Sequence, residues 1–140
     1  MIRISTNEII KKTRGNCDII NLTDDLIDLL RETGMNQGQC TVFSIGSTSA
    51  ITTVEYEPGL IKDIPEFLDE LIPQYKKYHH NDTWGDGNGH SHLRSSLYKS
   101  SLTIPFSNGE FYLGTWQQVV FLDFDNRERT RRIIVQFIGE

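Results

Sequence analysis

A chain of 140 residues with 37% apolar, 24% charged and 10% aromatic content has enough apolar material for one packed core and too much for a disordered chain. Nineteen acidic against fourteen basic residues give a net charge of −5, which argues against a general nucleic-acid coat. No apolar run approaches the roughly 20 residues of a membrane span, and MIRISTNEIIKKTRG lacks the apolar segment of a signal peptide. Cys17 and Cys40 lie in no CxxC pair and are expected to be buried, reduced thiols. The chain therefore reads as a single cytoplasmic domain over residues 1–140, with no membrane and no nucleic-acid partner.

MIRIST alternates apolar and polar residues as a short strand does, and CDIINLT reads as a second strand. Thr23 is the expected N-cap of a helix with Asp24 and Asp25 in its first turn, an apolar face of Leu26, Ile27, Leu29 and Leu30, and Gly34 as its stop. QCTVFSIG and ITTVEYE read as strands on either side of the turn Ser47-Thr48-Ser49, and Pro58-Gly59 ends the second. Ile64, Phe67, Leu68, Leu71 and Ile72 recur at helical spacing over Asp63–Ile72, with Pro65 tolerable in a first turn.

From Gln74 to Gly89 no period is visible, and a loop of that length in a small domain is functional or disordered. A short helix is expected over Gly89–Ser100. SLTIPF, EFYLG, TWQQVVFLDFD and RRIIVQFIG then read as strands, the first two joined at Asn108-Gly109 by a tight hairpin. The order ββαββα–loop–βββ predicts an α+β fold built on antiparallel sheet rather than a parallel βαβ fold.

All four histidines, His79, His80, His90 and His92, fall between Tyr78 and Leu93, with Asp82, Asp86 and Asn88. Imidazole and carboxylate suit a divalent ion, and imidazole also suits acid–base work near neutrality. A helix beginning near Asn88 sets Asn88 and His92 on one face and turns His90 elsewhere. The spacing matches no HExxH or CxxC metal signature, so histidine density points to a site more strongly than to a metal.

Other candidates are individually weaker. Ser47 and Thr48 sit in a hydroxyl-rich turn of the kind that can hold phosphate or carboxylate. Glu55 lies in the strand pattern and matters only if that face meets the histidines. Trp116, at the start of a strand, suits core or interface packing, and Gln117 could orient a ligand. Of Arg127, Arg129, Arg131 and Arg132, most read as a solvated hairpin cluster. Alternation sets Arg129 and Arg131 on one strand face, where a guanidinium can grip an anion.

The segments GSTSAITTVEYEPG, HNDTWGDGNGHSHLRSSL and SLTIPFSNGEFYLGTWQ, followed by an Arg-rich hairpin before RRIIVQF, resemble the YjbQ-like family, whose names include "secondary thiamine-phosphate synthase enzyme". The resemblance spans nearly the whole chain. It implies an antiparallel two-sheet β-sandwich with two main helices and a short third, assembled as a homotrimer with histidine clefts near subunit contacts. It also implies that His80 and His92 form a polar, metal-binding cluster, with Asn88 and Gln117 matching the family's loop asparagine and the Gln of GTWQ. Many members carry a histidine where this chain has Gly46 in Gly46-Ser47-Thr48, so a third imidazole is absent there.

These readings combine into a small-molecule enzyme with His80, His92 and Gln117 as catalytic groups. His80 and His92 would be the metal ligands, the metal being bound zinc or magnesium brought with substrate. Ser47, Thr48, Glu55, Asn88, Trp116, Arg129 and Arg131 would bind a small phosphorylated or anionic metabolite. Thiamine-phosphate synthesis is the sharpest version, needing stabilisation of a departing pyrophosphate. A non-catalytic trimer binding a metal or metabolite is the alternative.

Overall fold

The computed structural model describes all residues, Met1–Glu140. The elements run β1 (Arg3–Thr13), β2 (Asp18–Asn21), α1 (Thr23–Thr33), β3 (Gly38–Ser44), β4 (Ser49–Val54), α2 (Pro58–Leu71), α3 (His79–Trp84), α4 (Gly89–Tyr98), β5 (Ser101–Ser107), β6 (Glu110–Phe111), β7 (Gln118–Asp123) and β8 (Arg129–Gly139). A five-stranded sheet has the order β1-β8-β3-β5-β6 and a three-stranded sheet the order β2-β7-β4. All pairings are antiparallel, as the predicted α+β class requires.

Two apolar clusters explain the layering. Alternation on β8 turns Ile133, Val135 and Phe137 inward, where they meet Cys40 and Val42 of β3, Phe121 of β7, and Leu26 and Leu30 of α1. The other face of the small sheet packs Val120 and Leu122 of β7 and Ala50 of β4 against Ile64 and Leu68 of α2. Strand β7 is thus buried on both faces, which is why VVFL is a continuous apolar run rather than an alternation. No helix is long and apolar enough to cross a membrane. Both cysteines are buried and unpaired, and burial pushes each thiol up to about 12.

Several predicted boundaries shift, each for a local reason. The opening strand continues to Thr13 because β8 offers eleven successive partners from Gly139 to Arg129. Thr23 does not cap α1; it is the first helical residue, and its buried hydroxyl accepts from the Val119 N–H to tie the helix to β7. Gly34 ends α1 at φ +66° as expected.

Pro58-Gly59 opens α2 instead of only ending β4, because the Glu57 carboxylate accepts from the Gly59 and Leu60 N–H groups and Pro58 suits the first turn. Pro65 consequently stands inside a helix, not in its first turn. The long loop contains the six-residue α3, making four helices, and four strands follow, one for each of the segments SLTIPF, EFYLG, TWQQVVFLDFD and RRIIVQFIG, one more than the βββ of the predicted order. Only Glu110–Phe111 of EFYLG pairs, across a turn where Asn108 and Gly109 have φ of 56° and 70°, the pattern of a primed hairpin turn.

A left-handed turn braces the end of the molecule that matters below. Gly15, Asn16 and Cys17 all have positive φ. The Asn16 and Cys17 N–H groups donate to the Asp125 and Asp123 carbonyls at 2.7 and 2.9 Å. A Cβ on Gly15 would lie 2.5 Å from the Arg127 carbonyl oxygen, so only glycine lets the β1–β2 turn approach the β7–β8 connection this closely.

Candidate functional site

Alternation along β8 directs Arg131 to the same face as the core residues, where it is only 3% exposed. A charge there needs a partner, and Asp123 at the end of β7 supplies it. Arg131 Nε and Nη2 donate to the two carboxylate oxygens at 2.7 and 2.8 Å, a forked pair. Arg131 Nη2 also donates to Thr48 Oγ1 at 2.8 Å, and Asp123 accepts from the Thr13 hydroxyl and the Asp125 N–H. The arrangement pins the Ser47–Thr48 turn against the β7–β8 connection and ties the two sheets together there.

Asp125, 1% exposed, is the second buried carboxylate. Its Oδ1 accepts from Asn88 Nδ2 at 3.2 Å and from the Asn126 N–H at 2.9 Å. Its Oδ2 accepts from Arg129 Nη1 at 2.6 Å and Thr48 Oγ1 at 3.3 Å. Burial alone would raise its carboxyl, but Asn88, Asn126 and Arg129 together hold it below the usual carboxylate range.

Asn88 precedes α4 and passes this network on. Its Oδ1 lies 2.9 Å from His80 Nε2, and Asp86 Oδ1 is 3.5 Å from the same nitrogen. His92 stands one turn along α4, its ring centroid 4.3 Å from that of His80. Burial, then the His80 ring, lowers the His92 imidazole against the pull of Asp125 and Asp86 and a hydrogen bond to the Ser47 backbone. His92 is therefore predominantly neutral at pH 7 and able to take a proton.

His92, Asn88, Ser47, Thr48, Arg127 and Arg129 line an open cavity of about 650 Å³ in which Ile45 is the one apolar residue. Arg127 at its mouth is exposed. His80 stands behind His92 against Asn88, and its ring does not line the cavity.

The predicted site thus divides. His80, Asn88, His92, Ser47, Thr48, Arg129 and Arg131 come together, and the hairpin arginines are not uniformly a solvated cluster. Gln117 does not join them: its side chain accepts from the Gly114 N–H and donates to Thr53 Oγ1. Glu55 lies beyond the end of β4 and lines a separate cavity with Trp116. Trp116 is in the turn before β7 and is 72% exposed, not packed in the core. His90 turns away, as the helical spacing predicts, and is buried with Nδ1 unpartnered. Burial and then Arg94 push its imidazole down to about 4.

Asp123 and Asp125 are the site residues that the sequence reading does not single out. The available signal is their spacing, DFD against R-x-R on either side of a short connection: it puts like-spaced opposite charges at the facing ends of two consecutive strands, β7 and β8, of different sheets.

A tightly held metal does not fit this donor set. No three His, Cys, Asp or Glu side chains converge, and Asp125 already accepts four hydrogen bonds. Gly46 has φ +144°, and a Cβ there would stand 3.1 Å from Arg131 Nη1. Arg131 occupies the space beside that position.

Comparison with known proteins agrees with this frame. The family model described as "UPF0047 protein YjbQ-like" matches residues 7–140. A UPF0047 protein of Methanothermobacter thermautotrophicus is 37% identical over 139 residues, covering 99% of this chain and 95% of the relative. One from Archaeoglobus fulgidus is 36% identical over 129 residues, covering 92% and 98%. Among solved structures, a YbjQ-like protein of unknown function from Sulfolobus solfataricus superposes with a TM-score of 0.95 at 27% identity, covering 100% of both chains. A hypothetical protein from Aeropyrum pernix K1 gives 0.91 at 31% identity, covering 97% and 99%.

Proposed function

We propose that this chain, which belongs to the YjbQ-like UPF0047 family, is an enzyme acting on a small phosphorylated metabolite in the cleft between the β7–β8 connection, the Ser47–Thr48 turn and the start of α4. The observation that supports this reading is a lowered, base-competent imidazole, His92, in one polar cavity with Arg127 and Arg129. Arg127 has no ion-pair partner and can close on a phosphate, while Arg129 is pre-oriented by Asp125. The N-terminus of the ten-residue α4 favours the same negative charge. His92 takes or returns a proton beside the held anion, and Ser47 and Thr48 offer hydroxyls to it.

Joining a hydroxymethylpyrimidine diphosphate to a thiazole phosphate is the specific transfer to assay first, with and without Mg²⁺. The anion-binding half of that chemistry suits the arginines. The pyrimidine half lacks its stacking residue, because Trp116 lines another cavity. The broader class, acid–base chemistry on a phosphate ester, is accordingly the reading carried forward. His92→Gln is expected to lower turnover about 100-fold or more, as loss of a general base does, and to leave binding of the phosphate group within a few-fold. Equal loss of binding and turnover would contradict a role in chemistry.

The alternative is a non-catalytic homotrimer that binds the same metabolite. The exposed Ile4 and Ile10 of β1 and Phe43 of β3 favour assembly. Sedimentation of wild type, with product formation followed in parallel, separates the two: a trimer with tight metabolite binding and no turnover would favour the alternative.

A further inference from the structure

We infer that Asp125 is a positioning residue that sets the tautomer of His80 through the Asn88 side-chain amide. The inference rests on the reading of this cleft as functional, but its test needs no ligand.

The argument is one of donors and acceptors. An ionised carboxylate only accepts, so Asp125 Oδ1, 3.2 Å from the Asn88 amide, must meet its NH₂ group. The reversed amide would set a carbonyl oxygen against a buried carboxylate. Asn88 therefore presents its carbonyl oxygen to His80 Nε2 at 2.9 Å. A carbonyl also only accepts, so His80 must donate through Nε2–H, and in the neutral imidazole the lone pair is then on Nδ1. Asp86 Oδ1, 3.5 Å from the same Nε2, favours the same proton position. The other oxygen of Asp125 holds Arg129 and Thr48. One buried charge, at the floor of the cavity with its oxygens already engaged, thus orients both the histidine half and the anion half of the cleft.

The relay makes a prediction that general disruption of the site would not. In Asp125→Asn, Arg129 and Thr48 still require an oxygen. The charged Arg129 donor outweighs the single Asn126 N–H that the new amide would oppose. The new NH₂ group then faces Asn88, which must rotate to present its carbonyl. Asn88 NH₂ now points at His80 Nε2, and the proton of His80 moves to Nδ1. Adding Asn88→Asp in the same chain restores an acceptor beside His80 and keeps one negative charge in the relay, so the proton returns to Nε2.

Long-range ¹H–¹⁵N correlation spectra of the imidazoles in the ligand-free protein read these states directly. The expected sequence is Nε2–H in wild type, Nδ1–H in Asp125→Asn, and Nε2–H in the Asn88→Asp/Asp125→Asn double variant. Wild type with the proton on Nδ1, or Asp125→Asn retaining it on Nε2, would overturn the inference. Should Asp125→Asn fail to fold, wild type and the double variant decide: either one carrying the proton on Nδ1 overturns it. Phosphate titration of the same samples is a separate readout. Absence of phosphate binding beside the expected tautomers would sink the proposed function and leave the relay standing, and the converse holds too.

Discussion

Two regions of this chain carry polar residues of the kind that bind ligands, and they are built differently. At the β7–β8 end, Asp123 and Asp125 are buried and each is held by several donors, and Thr48, Asn88, Arg129 and Arg131 are ordered around them. At the Gly114–Gln117 end, Trp116 is mostly exposed, and Gln117 makes one contact to its own turn and one to β4. Motif density is high in both. What separates them is burial of charge: a fold keeps an ionised side chain in its interior only where partners compensate it, and the compensated groups end up fixed in position. Fixed polar groups around an open cavity are what a binding site requires.

Breaking the network at the β7–β8 connection should have the largest effect. Asp123→Ala leaves Arg131 buried without its forked partner and is expected to cost about 3–5 kcal/mol in denaturant unfolding. The double variant Asp123→Leu/Arg131→Met should recover most of that loss. A double variant no more stable than Asp123→Ala would mean that an unpartnered Arg131 is not the source of the loss.

Acid should weaken this end next, in two windows. His90 is depressed to about 4 from an ordinary value near 6.5, so the folded state binds fewer protons than the unfolded chain. Stability present above pH 6.5 is then lost as pH falls towards 4, on the order of 3 kcal/mol for this one group. Asp125, also depressed, contributes stability above roughly pH 4 that disappears as pH falls through its lower folded value. His90→Gln should make the first window shallower, leaving the smaller part that the likewise lowered His92 contributes, and leave the second unchanged. An unchanged slope between pH 6.5 and 4 would contradict the assignment.

Smaller effects sharpen the contrast. Arg127→Ala should weaken inorganic pyrophosphate binding about 10-fold, as loss of one charge-assisted contact does, and shift stability by less than about 0.5 kcal/mol because the side chain is exposed. Glu55→Gln and Trp116→Ala should leave both quantities within error, as calorimetry and thermal unfolding can check. A large loss of pyrophosphate affinity in Trp116→Ala would erase the distinction between the two regions.

How much of this was legible in the sequence depended on whether local or distant partners decided the outcome. Alternation in RRIIVQFIG and helical spacing over Ile64–Ile72 reflect one buried face each, and both were readable. The crowding of His80 and His92 with Asn88 was readable too, since they lie within one short window. Thr23 was misread because its hydroxyl serves Val119 of another strand, and the first strand was cut short because its length is set by β8, more than a hundred residues away. Pro58 was read as a breaker because the capping carboxylate of Glu57 comes one residue before it. Gln117 reads as a site residue from its amide chemistry and from the resemblance, neither of which fixes its partners, and within this chain those are Gly114 and Thr53. The roles of Asp123 and Asp125 depend on which strand face carries Arg129 and Arg131, and charge counting along the chain does not register that.

The most direct test of the central claim is a ¹H–¹⁵N titration of the assigned protein with inorganic pyrophosphate. The account predicts saturable shifts at Ser47, Thr48, Asn88, His92 and Arg127, with none at Glu55 or Thr115–Gln118. Shifts confined to Glu55 and Thr115–Gln118, or no saturable shift in the cleft, would contradict it.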